Sequence, residues 1–575
     1  MRFSSSLVVL LSGVTSLATG TPFFGLRKRA SCANTATSRN CWGNYSINDD
    51  VTYTWPSTGV TRSFTFNVQA KTLAPDGVSK QMMTVNGQYP GPTIEANWGD
   101  NISVKVCNQL TLNGTGIHFH GIRHLNTNYA DGATAQTECS IAPGDCYTYN
   151  WKATQHGTSW YHSHYSLQYA DGVHGPIVIH GPNTANWDID LGPLVITDYY
   201  HQSAYALASS ATTQTLGIPP VAVSGLINGK NTNLNTNLTT VGSHYQMTFT
   251  KGKKHLIRLI NTGSEVIFRF AIDNHKLTVV SVDLVPITPY ATDTILIAVG
   301  QRYDVIVEAD QAVGDYWARA IPMMSCFAVN LQAFDIRAIV RYDATSTADP
   351  TVNQSIPHVM LDVCQDESLS NLVPYISHSV GPSAVSKDFN AVLLPSSNDG
   401  YALRWQVGSS QPYRPLKSNP VIKQIFANST ANITADLVPI DLTSLQGTNW
   451  VYIVVESLLP LPHPLHYHGH DNYILARGAG PFLSNVTTLQ LANPPRRDTV
   501  NLPQTGFIVL GFKTDNPGSW LLHCHIQWHL HDGFGMSIVE RPKSEIKAAY
   551  TNAGQDTEMQ RVCTNWVASG LDSRG

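Results

Sequence analysis

The sequence predicts an all-β protein made of three consecutive antiparallel sandwich or barrel units. Three observations carry that expectation: short strand runs recur along the chain, turn residues separate them, and convincing long amphipathic helices are absent. At roughly 100 to 200 residues per domain, 575 residues make about three or four units.

Runs of Val, Ile, Thr, Tyr and Phe mark strands at Ser63 to Gln69, Ile102 to Val106, Tyr147 to Trp151 and Ile177 to His180, then at Val305 to Glu308 and Val451 to Val455. Asn86-Gly87 and Tyr89-Pro90-Gly91-Pro92 supply the turn chemistry between such runs. Seams are expected near Pro182 to Asp188, before a Leu194 to Asp198 strand, and across Ser368 to Asp399, which is rich in Ser, Pro and Asn. The units then span 30–182, 183–365 and 400–571, with 366–399 as a linker.

Lys and Arg number 36 against 40 Asp and Glu, a balance too even to recruit nucleic acid or an anionic membrane by charge. Charged residues are only 13% of the chain, so glycans are expected to help keep the surface soluble. Residues 1–20 read as a secretion signal, with Arg2 at the start, an apolar Leu7 to Leu17 and small residues at Ala18-Thr19-Gly20. Residues 21–29 read as a propeptide ending at the dibasic Lys28-Arg29. No later stretch reaches the ~18 apolar residues needed to span a bilayer, so the expected destination is extracellular. Sequons at Asn44, Asn101, Asn113, Asn237, Asn353, Asn428, Asn432 and Asn485 agree with that route. Nine cysteines in an oxidising compartment leave one thiol over, and that thiol needs a chemical reason.

Eleven of the 22 histidines fall in four clusters. The first is His118-Phe119-His120 and the second His162-Ser163-His164; the third runs His463-Pro464-Leu465-His466-Tyr467-His468-Gly469-His470, and the fourth His523-Cys524-His525-Ile526-Gln527-Trp528-His529. In a strand, residues i and i+2 face one way, so each His-X-His presents two imidazoles together. The same alternation sends Cys524 to one face and His523 and His525 to the other, so one strand can join two metal sites. A thiolate with two imidazoles makes a trigonal copper electron-transfer site, with His463 and His529 as the partners of Cys524. A lone His-X-His is more often incidental, and a single His-Cys-His could be a zinc fragment. Four clusters far exceed the four ligands of a closed zinc site, and a hydrolytic zinc enzyme needs no cysteine-bridged relay.

These four motifs, in this order and at these separations, resemble those of the multicopper oxidases, most closely the ascomycete-type fungal laccases, over nearly the whole mature chain. Phe119 stands where that family usually has tryptophan, at a position that carries no metal. The resemblance implies three cupredoxin-like Greek-key domains and four copper ions. His118 and His466 would bind the type 2 ion, while His120, His162, His164, His468, His523 and His525 would hold the type 3 pair. His463, Cys524 and His529 would bind type 1, with Phe534 in the axial position as a non-ligand and Met536 as its rival. His156, His174, His470 and His531 fall outside the matched positions.

The resemblance further implies a proton-supporting role for Asp131, for which an ordinary Asp-Gly turn is the competing reading. It implies a phenol-proton acceptor at Glu265, against a solvated loop charge. It pairs Cys32 with Cys41, Cys139 with Cys563 and Cys326 with Cys364, which leaves Cys107 with Cys146. It also implies removal of residues 572–575 after Leu571, the new terminus then closing a solvent channel; Ala568 departs from the family's tail pattern.

The activity implied is one-electron oxidation of phenolic or other aromatic donors at type 1 copper, at the edge of His529, coupled through Cys524 to four-electron reduction of dioxygen to water. Ascorbate oxidase, bilirubin oxidase and ferroxidase are the alternatives within the family, and a copper-carrying structural protein is the alternative outside it. A storage protein would favour methionine-rich sites, and the chain has only 9 methionines.

Overall fold

The computed structural model describes residues 31–209, 219–327, 329–333, 335–351, 363–395, 403–407, 412–414, 417–427 and 438–571. The signal and propeptide readings, the tail 572–575 and the sequons Asn353, Asn428 and Asn432 lie outside these residues.

Side-chain alternation builds the first unit. In Asn101–Asn108, Ile102, Val104 and Val106 are buried while their neighbours face outward, and in Cys146–Lys152 the buried set is Tyr147, Tyr149 and Trp151. These strands join Thr61–Leu73 and Lys80–Val85 in a four-stranded sheet. The companion sheet orders Ile94–Asn97, His174–His180, Gly157–Ser163 and Ile117–His120. The second and third units each pair a six-stranded with a five-stranded sheet, so the chain folds as three successive two-sheet units, as expected of three β-sandwich domains.

Two expectations need correction. The sheets are not purely antiparallel: each of these six contains a parallel pair, such as Thr61–Leu73 with Asn101–Asn108 and Ile440–Leu442 with Gly535–Glu540. Parallel neighbours need crossover connections, which Greek-key chains make when they pass from one sheet to the other. The stretch 366–399, read as a linker from its Ser, Pro and Asn content, contains the 13-residue strand Ser383–Pro395, which lies parallel to Trp450–Ser457 in the third unit. Sheet pairing overrides weak local strand propensity there.

Contrary to the expectation of no long helices, Lys543–Asn552 and Gln555–Ala568 form helices near the C-terminus. Met559, Val562, Cys563 and Trp566 are the buried residues of the second helix, spaced at i, i+3, i+4 and i+7. They join Ile546, Tyr550 and Leu571 in the apolar cluster of the first unit, so the end of the chain clasps its beginning. A disulfide between Cys139 and Cys563 ties the two covalently across 424 positions. The other bridges are Cys32–Cys41, Cys107–Cys146 and Cys326–Cys364, and Cys524 is a buried free thiol. Among the described residues no helix is long and apolar enough to cross a membrane.

Candidate metal centre

Strand register assembles the centre from the two ends of the chain. In the first unit His118 lies directly across the ladder from His162, and in the third His466 lies across from His523. The two halves then interleave: the His118 ring stacks on His468 at 3.9 Å and the His120 ring on His466 at 3.8 Å. Three donor groups result, each within 4.8 Å: His118, His120 and His466; His120, His162 and His525; His164, His468 and His523. Nitrogens meet at 3.4 Å for His118 Nε2 and His466 Nε2, and at 3.2 Å both for His468 Nε2 with His523 Nε2 and for His120 Nδ1 with His525 Nε2. Phe119, on the alternate face, points into the core against Tyr149 and Trp151.

The second donor set forms on the opposite face of the same strands. Leu465 pairs with Cys524 and His466 with His523, so alternation puts His463 with Cys524 and leaves His466 with His523. Cys524 Sγ is 3.5 Å from His529 Nδ1 and 3.8 Å from His463 Nδ1, and the two nitrogens are 3.3 Å apart. The centre of that triangle lies about 2 Å from every corner, a transition-metal bonding distance. A thiolate with two imidazoles in a plane suits copper, and the all-imidazole groups suit it equally. The residues present therefore fit the cofactor the sequence calls for.

Phe534 lies across from Cys524, whose N–H donates to the Phe534 carbonyl at 3.1 Å, and its ring is 4.9 Å from that of His463. Met536 is one step further along, opposite Leu522, which puts it out of register with the cysteine. Trp405, not singled out in the sequence, closes this site: its ring packs on His463 at 4.8 Å, His529 at 4.6 Å and Phe534 at 4.9 Å.

Hydrogen bonds at the far ring nitrogens orient the imidazoles. The Asp131 carbonyl accepts from His118 Nδ1 at 2.7 Å, and its carboxylate accepts from His468 Nδ1 at 3.0 Å. Asp131 thus does more than make a turn, and Gly132 beside it has φ +71° and no space for a Cβ against the Ile117 carbonyl. Asp498 does the same for the other half. Its carbonyl accepts from His466 Nδ1 at 3.0 Å, and Oδ1 accepts from His120 Nε2 at 3.1 Å and from Arg302 Nη1 at 2.7 Å. Sequence reading missed Asp498 and Arg302. The only local signal was a charged Arg496-Arg497-Asp498 run in a chain poor in charge, and no spacing rule links it to the histidines.

Burial lowers the pKa of His120, His162, His463, His523 and His525 far below the usual imidazole value, and of His164 and His529 to about 3. The rings are therefore neutral and present lone pairs. Burial also pushes the Cys524 thiol up, so a bound cation is needed to hold it as thiolate.

Glu265 stands on the thiol side, on a loop tied to the helix that bears His529. The loop carrying it is held by Asp198, which accepts from the backbone N–H groups of Ser264, Glu265 and Val266 at 2.8 to 2.9 Å. The Gln527 N–H donates to the Ser264 carbonyl at 2.8 Å, tying that loop to the short helix Gln527–His531 that bears His529. Burial, then the Asp198 charge, push the Glu265 carboxyl well above its usual range. A cavity of about 520 Å³ reaches the histidine cluster, lined by His162, His164, His523 and His525 together with Thr134, Arg414, Lys417 and His531. Leu571 packs in the apolar cluster of the first unit and is not among the residues lining that cavity. His156 packs edge-on to Trp98, His174 pairs with His162 across the ladder, and His470 stacks on Tyr467. Asn44, Asn101, Asn237 and Asn485 are exposed and Asn113 is half-buried.

Residues 67–184, 190–345 and 413–544 match three family models, each described as multicopper oxidase. The chain is 43% identical to Laccase-2 of Botryotinia fuckeliana over 94% of its own length and 91% of the relative. It is 36% identical to dihydrogeodin oxidase of Aspergillus terreus over 94% and 93% of the two chains. Its fold superposes on the crystal structure of a laccase from Botrytis aclada with a TM-score of 0.87 and 42% identity, covering 94% of this chain and 97% of that one. With donor sets and fold agreeing, the chain belongs to the multicopper oxidase family and is an oxidoreductase of the laccase type.

Proposed function

We propose that this enzyme removes one electron at a time from phenolic donors and delivers four electrons and four protons to dioxygen, forming two waters. The observation that carries the reading is the Gly518–Cys524 strand and its extension to His525, which turns a thiol toward one donor set and two imidazoles toward another. Bound copper supplies one-electron acceptance on the thiol side and dioxygen binding on the imidazole side. The reading takes four ions: type 1 at His463, Cys524 and His529; type 2 at His118 and His466; and a type 3 pair at His120, His162 and His525 and at His164, His468 and His523.

The protein's own groups then have distinct tasks. His529 presents its ring edge to the donor, and Glu265 accepts the phenolic proton as the electron leaves. Cys524 and its peptide links to His523 and His525 form the shortest covalent route between the two sites. Asp131 and Asp498 hold the rings in one tautomer, and Phe534 and Trp405 keep the thiol side apolar. We also propose secretion, N-glycosylation at exposed sequons, cleavage after Leu571, and unit boundaries near 182 and 365, with the third unit beginning before Ser383.

The test is copper analysis of the purified protein together with oxygen uptake on a phenol, ascorbate, bilirubin and ferrous iron side by side. Copper with phenol as the preferred donor is expected. Preference for another donor would move the chain to an ascorbate oxidase, bilirubin oxidase or ferroxidase role, and copper with no oxygen uptake on any donor would leave a binding protein.

A further inference from the structure

Reduction of dioxygen consumes four protons, and among the described residues the buried carboxyl groups Asp131, Asp498 and Glu138 lie near the histidine cluster. The first two are committed. Both Asp131 oxygens face His468 Nδ1 at 3.0 and 3.2 Å, and both Asp498 oxygens are engaged by Arg302. Each acts as an anionic acceptor that orients a ring or anchors a cation.

Glu138 is built differently. Tyr149 Oη accepts from the Ile117 N–H at 3.3 Å and donates to Glu138 Oε1 at 2.8 Å, while Oε2 is buried and has no hydrogen-bond partner among the described residues. Among the described residues no Lys, Arg or His pairs with it, and the charges and phenols that face it are Asp131, Tyr149, Tyr147 and Tyr550. Burial raises its pKa well above the usual carboxyl value, and Asp131 adds to the rise. With Oε1 already accepting, Oε2 is the oxygen left to carry a proton.

Position matters as much as protonation. A Cβ on Gly116 would fall 2.6 Å from Glu138 Oε1, so the carboxyl lies directly against the residue two before His118. The Gly116 carbonyl accepts from the His164 N–H at 2.9 Å. Thr134 bridges to Glu138 through the backbone and lines the cavity that His162, His164, His523 and His525 also line.

We propose that Glu138 is the proton donor for oxygen reduction in this enzyme, an inference that rests on the laccase-type reading above. The Oε2–H bond breaks as an O–H bond of product water forms. The carboxylate left behind is stabilised by the Tyr149 hydroxyl, and water entering past Thr134 from the cavity reprotonates it for the next of the four transfers.

Glu138→Gln keeps size and the Tyr149 hydrogen bond but removes the transferable proton, and Glu138→Asp keeps the acid. Infrared spectra of the copper-free and copper-loaded parent are expected to contain a buried protonated-carboxyl band that is absent in Glu138→Gln and shifted in Tyr149→Phe. After full anaerobic reduction and mixing with oxygen, reoxidation of Glu138→Gln is expected to be about a hundredfold slower, with partial recovery in Glu138→Asp, while bleaching of the blue colour by a phenol stays at the parent rate. A parent without that carboxyl band, or a Gln variant that reoxidises at the parent rate, overturns the proposal. A parent that neither bleaches with phenol nor consumes oxygen overturns the laccase reading instead.

Discussion

Asp498→Asn tests whether a single ionic junction holds the three units around the cluster. Asp498 comes from the third unit, its partner Arg302 from the second and its hydrogen-bond donor His120 from the first. The Arg302 and Asp498 side chains are both 0% exposed, and their two contacts are 2.7 and 2.5 Å. Removing one partner of such a buried pair costs about 3–5 kcal/mol, because a desolvated charge loses its counterion. Arg302 retains Asp283 at 3.5 Å, and the Asn carbonyl oxygen still accepts one bond, so the lower end of about 3 kcal/mol is expected, near a hundredfold in the folding equilibrium. His120 would keep an acceptor but lose its anionic character, weakening copper retention by about 10- to 100-fold. Denaturant titration of the copper-free protein measures the first effect, and equilibrium dialysis against a copper chelator measures the second. A stability change below about 1 kcal/mol with unchanged copper retention would refute the argument, since the attraction would then merely balance the desolvation of the pair.

Cys524→Ser is expected to abolish the intense visible absorption while circular dichroism stays that of the parent, because a hydroxyl gives no thiolate charge transfer. Phe534→Met adds a weak axial sulfur donor and is expected to lower the type 1 potential, whereas Met536→Leu, out of register with Cys524, leaves it unchanged; spectroelectrochemical titration of both decides. Glu265 is needed as carboxylate and its pKa is raised, so phenol oxidation is expected to rise as pH rises through that value. Glu265→Gln removes this limb and slows phenols by about 10²-fold but not a donor that loses no proton, as steady-state rates across pH would record. Cys139→Ser with Cys563→Ser opens a loop of 424 positions and is expected to destabilise by about 5 kcal/mol, exposing the Gln555–Ala568 helix to limited proteolysis.

The sequence by itself determined the chemistry of this protein. His-X-His and His-Cys-His carry their meaning in period-two alternation, so which side chains share a face follows from spacing alone, and the strand pairings His118 with His162 and His466 with His523 obey it. The short β runs of the first unit were legible for the same reason. What spacing cannot carry is contact between segments hundreds of residues apart. The interleaving of the His118 and His468 rings, the Asp498–Arg302 junction and the lid that Trp405 forms over His463 and His529 all depend on how three units pack. Ser383–Pro395 is a strand because Trp450–Ser457 and Leu403–Val407 pair with it, and its composition reads as a linker. Glu138 shows the division most clearly. In the sequence it is an unremarked acid beside Cys139, and only burial against Gly116 and Tyr149, with no cation beside it among the described residues, raises the affinity of its carboxyl for a proton.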